Sequence, residues 1–159
     1  MAIYLKFSFI DGDVTTVGFE KWIELLSTSI AITRNTTTGA AGRQREGSHP
    51  EISDIRVTKH LDNATTKLIR EAVAGQFKNR AEIRWTTTTK SKVETYFTVE
   101  LDDCGITGFQ QTSNPDGIPT ESLALNFTRI VFTPSLLNSK GQQQQGARVM
   151  YDLQTMKAS

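Results

Sequence analysis

The chain has 159 residues, enough for one domain with a real core, and its 18 basic and 17 acidic side chains leave a net charge of +1. That balance argues against a polybasic nucleic-acid surface and an acidic tail, and the single cysteine, Cys104, excludes an intramolecular disulfide framework. One Cys and two His cannot supply the usual four zinc ligands, and no apolar run is long enough for a membrane helix.

The opening MAIYLKFSFIDGD alternates Ile3, Leu5, Phe7 and Phe9 with Tyr4, Lys6 and Ser8. Period two marks a half-buried strand, and a start without a basic n-region does not read as a signal peptide. The protein is therefore expected to be made in the cytoplasm, and to leave, if it does, by a route needing no N-terminal signal. In KWIELLSTSIAITRN, Thr28, Ile30 and Ile32 lie on one face and Ser27, Ser29, Ala31 and Thr33 on the other. The second face is small and neutral, whereas a free edge usually carries charge. It suits subunit packing or the wall of a wide channel; a plain sandwich exterior is the alternative. Between Arg34 and Glu51, NTTTGAAGRQREGSHP is rich in Gly and Thr and has no periodicity. Loops of that length are usually functional or disordered.

DIRVTKHLDNATTKLIREAVAG then reads as a strand followed by a helix over about residues 64–74. Leu68, Ile69, Ala72 and Val73 form its apolar stripe, Thr65 or Asn63 can cap its start, and Gly75 suits a left-handed end. A helix this short must pack on the sheets to persist. Strand patterns return with Ala81, Ile83 and Trp85, and with Val93, Thr95, Phe97, Val99 and Leu101 on one face. SNPDGIP is a turn, and residues 120–133 place Leu123, Leu125, Phe127 and Val131 on one face, with Ile130 and Phe132 opposite. The polar loop NSKGQQQQG leads to a last strand with Val149, Tyr151 and Leu153 inward. The expected fold is mainly β: a two-sheet β-barrel or sandwich of about eight strands flanked by a single α-helix, one domain over residues 1–159. Phe7, Phe9, Phe97 and Phe127 point to a filled core, which argues against a ligand-binding cavity.

The sequence holds no GxSxG, P-loop, HExxH or dinucleotide fingerprint. His60 and Asp62 are two residues apart at a strand end, without a nucleophile nearby in sequence, and read as strand-end and turn residues. His49 reads as a loop or contact residue, Asp102 and Asp103 as a solvated turn, and Cys104 as a partly buried, inert thiol. Arg43, Arg45, Lys90 and Lys92 lack interleaved aromatics, while Trp22 and Trp85 read as core or interface anchors. No catalytic, cofactor-binding or metal residue is assigned, no cofactor is expected, and the chain is not read as an enzyme.

VTKHLDNATTKLIREAVAG resembles the signature of the haemolysin co-regulated proteins (Hcp), the tube proteins of type VI secretion systems, through Val57, Lys59, Asp62, Thr65, Leu68 and Ala72. Thr66 stands where many relatives have a helix-starting proline. The resemblance extends through the IDGD turn, KWIELLSTSIAI, the Gly-rich stretch, AEIRWTTTTKSKVETYFTVEL and ESLALNFTRIVFTP, in the family's order. It implies a β-barrel with one helix, a homohexamer whose rings stack into a tube, and sheath, baseplate and spike proteins as partners. It also implies secretion through the type VI system, small effectors in the channel, no nucleic acid and no membrane insertion. A tail tube of a phage or another contractile injection system is the alternative; a monomeric ligand-binding barrel and an enzyme are further ones. On this reading Thr37, Thr38, Gly39, Gly42, Arg43, Arg45 and His49 belong to an arm that contacts a neighbour. Ser27, Ser29 and Ala31 are the candidates for lining the channel.

Overall fold

The computed structural model describes residues 1–38, 45–138, 140 and 142–159. After β1 (Ala2–Phe7), five short strands follow: β2 (Ile23–Leu25), β3 (Ser27–Ser29), β4 (Ile32–Thr33), β5 (Thr36–Thr38) and β6 (Arg45–Gly47). Next come β7 (Glu51–Ile52), β8 (Ile55–His60) and, among the described residues, the one α-helix, α1 (Thr65–Ala74). The long strands β9 (Asn79–Thr89) and β10 (Lys92–Thr112) precede β11 (Thr120–Asn126) and β12 (Arg129–Leu137). β13 (Gln143–Gln145), β14 (Val149–Asp152) and β15 (Lys157–Ala158) complete the chain.

One sheet runs β15-β14-β12-β10-β11-β8-β3, with β9 joining β10 to β1 and β1 joining β2. It folds into two layers because its strands bend at matching places. β10 pairs β12 up to Asp102 and β9 up to Cys104, but pairs β11 from Gly105 onward. Between these halves the register shifts and Asp103 takes φ 50°, a β-bulge that turns the strand from one layer into the other. Opposite it, Thr128 separates β11 from β12; its amide bonds Asp102 O and its hydroxyl bonds an Asp103 carboxylate oxygen. Leu26 makes the third bend, between β2 and β3, its amide bonding Thr58 O. Strands of the path end at β3 and β15, so the fold is sandwich-like and not a closed barrel. The expected eight strands become fifteen described segments because Leu26 divides β2 from β3 and stretches read as loops contribute the short strands β4 to β7 and β13.

Leu5, Phe7, Ile23, Val57, Leu68, Ile83, Leu101, Leu123, Leu125 and Ile130 are fully buried between the layers or nearly so. A second cluster of Tyr4, Phe19 and Trp22 covers the outer face of β1, where residues 12–22 fold back through Gly12 N to Lys21 O and Val14 N to Trp22 O bonds.

Three expectations about side-chain direction are corrected. Phe9 follows the turn at Ser8 and is 94% exposed, not inward, because Ser8 at φ 40° ends the alternation. A bulge between Thr95 and Phe97 splits one expected face, sending Val93 to the Tyr4 cluster and Phe97 to the main core. Val149 is half exposed, whereas Tyr151 and Leu153 pack on the core as expected. The helix end also differs. Gly75 is extended, not left-handed; it is required because a Cβ there would strike Glu71 O, which its own amide bonds.

Candidate assembly surfaces

The stretch that carries the family resemblance is tied down from inside. β8 buries Ile55, Val57 and Lys59 in alternation, and β11 buries Glu121, Leu123 and Leu125. Lys59 and Glu121 are register partners, so the period that buries the aliphatic residues buries the charges too. Both side chains are 0% exposed. Lys59 Nζ lies 2.7 Å from Glu121 Oε2 and 2.8 Å from Asp62 Oδ1, and donates to His60 O at 2.8 Å. Gln111 Nε2 donates to the other Glu121 oxygen at 3.2 Å. Every proton of the ammonium thus has an oxygen, as a buried cation requires.

The same cluster starts the helix. Ala64 N donates to Asp62 Oδ1, and Thr65 Oγ1 accepts from Asp62 N while lying 3.3 Å from Lys59 Nζ. Neither Asn63 nor Thr65 caps the helix, which has no side-chain N-cap; Asp62 orders the turn that leads into it. Asn63 instead bonds Asp13 through both its amide and its side chain. The arrangement fixes the β8–α1 corner rigidly on the sheet. Sequence reasoning found Lys59 and Asp62 through the resemblance but missed Glu121 and Gln111. The available signal was a glutamate in phase with Leu123 and Leu125.

His60 is exposed, and with Asp13, Glu24 and Asp62 it lines a shallow cavity of about 210 Å³. No nucleophilic side chain lines it, and two of its three carboxylates already hold Asn63, Lys59 or backbone amides. No cluster of potential metal ligands occurs among the described residues. Burial, followed by the charge of Asp54, pushes the Cys104 thiol up to about 12, so it is inert at neutral pH.

The stretch expected to form an arm is a hairpin, not an irregular loop. β4 pairs β7 and β5 pairs β6, and neither ladder joins the main sheet. Between them Ser48 N bonds Asn35 O, Ser48 Oγ bridges Asn35, and Arg34 Nε donates to Ser48 O. Thr37, Thr38 and Arg45 sit in the outer ladder, and His49 is exposed beside the inner one; Gly39, Gly42 and Arg43 lie outside the described residues. Ile32, at the base, is 55% exposed. Ser27, Ser29 and Ala31 are all exposed on or next to the edge strand β3, with the Ser27 hydroxyl on Thr58 Oγ1.

A family model described as type VI secretion system effector, Hcp, matches residues 4–133. The chain belongs to the Hcp family. Similar solved folds include a type six secretion system protein, 22% identical, with 99% of each chain covered and a TM-score of 0.90. Hcp1 from Salmonella typhimurium is 17% identical over 99% of this chain and 98% of its own, with a TM-score of 0.74. A type VI secretion system effector from Yersinia pestis gives 16%, 94%, 98% and 0.68 in the same order. The comparison with curated proteins gave no match. The protein is accordingly an Hcp component of type VI secretion, and Hcp is a family of structural secreted proteins, not of enzymes.

Proposed function

We propose that this Hcp protein forms homohexameric rings that stack into the inner tube of a type VI secretion system, with the hairpin of β4–β7 as the arm that reaches a neighbouring copy. The observation that carries the reading is a self-paired hairpin outside the main sheet, with an exposed apolar residue, Ile32, at its base. A closed ring needs two different patches per subunit, and an arm on one side with a receiving surface on the other supplies them. Because the hairpin's backbone bonds are already made, docking it orders less chain than docking an open loop would. Sheath, baseplate and spike proteins are the further partners, and the channel holds small effectors.

Removing Thr37 to Arg45 should leave a folded chain whose ring or tube formation is weakened. Light scattering after size exclusion, with electron microscopy, checks this; rings and tubes unchanged from the intact chain would refute the arm. Ser27, Ser29 and Ala31 line the channel in this reading. Ser29→Trp then lowers effector retention while rings persist, and unaltered retention places these residues elsewhere.

A further inference from the structure

Phe9 is held in water by the backbone. Ser8, a non-glycine residue at φ 40°, turns the chain after β1, and Ile10 N bonds Phe7 O across the turn. Ser8 N donates to Arg80 O and Arg80 N to Ser8 Oγ, so the turn is pinned to β9 and cannot fold Phe9 inward. Left-handed backbone at a serine is unfavourable and persists only where its surroundings impose it. Beside Phe9, between this turn and α1, lies an open groove of about 570 Å³ with Ile10 at its base. Lys67, Arg70 and Lys78 line it against a single carboxylate, Glu71. These three cations are exposed and in no ion pair among the described residues, while Glu71 holds Asn79 Nδ2.

We infer that this groove docks an acidic segment of another protein that carries an apolar side chain. An exposed aromatic beside unpaired cations is the composition from which interface anchors are built: the ring supplies area and the cations select an acidic partner. A second copy of this chain fits the groove less well. Its exposed turns bring one carboxylate each against three cations, Asp116 beside Ile118 and Glu20 beside Val17, and Glu20 already accepts from Gly18 N; the half-buried Glu100 and Asp102 already face Arg80 and Arg129. The inference does not depend on ring formation.

The test uses the full chain and fluorescein-labelled synthetic peptides: one of Glu, Asp and Leu, one of Glu alone, and one with Lys in place of the acids. Anisotropy should show the first binding about tenfold or more tighter than the second, and the third not at all. Phe9→Ser and Lys67→Glu with Arg70→Glu should each weaken it about tenfold, with circular dichroism unchanged. Hydrogen exchange should show protection over Ser8–Ile10 and α1 on adding the peptide. Equal binding of the all-Glu peptide together with an unaffected Phe9→Ser would reduce the groove to a polyanion surface and overturn the inference. Protection of the same segments on raising protein concentration without peptide would assign the groove to contact between copies and overturn it too. Absence of binding, or protection elsewhere, would do the same.

Discussion

Lys59 and Glu121 show how one inward position on each of two strands decides a local structure. With the partner carboxylate removed, a fully desolvated ammonium keeps only Asp62, the Thr65 hydroxyl and the backbone oxygen of His60. Losing one member of such a pair typically costs about 3–5 kcal/mol. Glu121→Ala should therefore lower the urea midpoint by a corresponding amount at unchanged slope, and Lys59→Met with Glu121→Leu should recover most of it. A double variant no more stable than Glu121→Ala would show that the charges, and not their pairing, hold the corner. Cys104 supplies the pH dependence. Its thiol is raised from 9.0 to about 12, so the folded state favours the protonated form. The associated stability is complete below pH 9.0 and is lost as pH rises towards about 12. At pH 8 iodoacetamide should label it only at the rate at which the chain opens, and fast labelling of the native protein would contradict its burial.

At the scale of elements, the bends decide more than the strands do. Asp103 is left-handed in the bulge and bonds the Thr128 hydroxyl, so the two strands turn together. Asp103→Val places a β-branched residue where it is disfavoured and should cost about 1–2 kcal/mol, seen in the thermal midpoint, whereas Asp103→Gly should cost less. Equal effects of the two would mean that the hydrogen bond, not the backbone, dominates. The strand periods of Leu5 and Phe7, Ala81 and Ile83, and Leu123 and Leu125 were legible, because alternation records burial on one face. Phe9 was misread just past a turn, and Val93 across a bulge from Phe97, since one displaced residue reverses every side chain on its far side. Nothing in the local sequence of Ser8 or Tyr96 announces that displacement; it is imposed by pairing with β9.

For the whole molecule, the edges matter most. β3 and the hairpin of β4–β7 lie at the margin of the sandwich with ladder partners on one side only or only among themselves. If they join copies, unfolding is coupled to association: the intact chain's midpoint should rise with protein concentration, and the chain lacking Thr37 to Arg45 should show no such dependence. A midpoint independent of concentration in both would mean a monomer. By itself the sequence determined the mainly β class, the place of the helix, the absence of a catalytic motif and the resemblance to Hcp, because these rest on period, composition and local order. The tertiary structure alone decided that the sheet folds into an unclosed sandwich, that Lys59 and Glu121 meet, and that Phe9 stands in water beside cations. These depend on which strands become neighbours, and pairing between residues as far apart as Lys59 and Glu121 leaves no mark on either stretch alone.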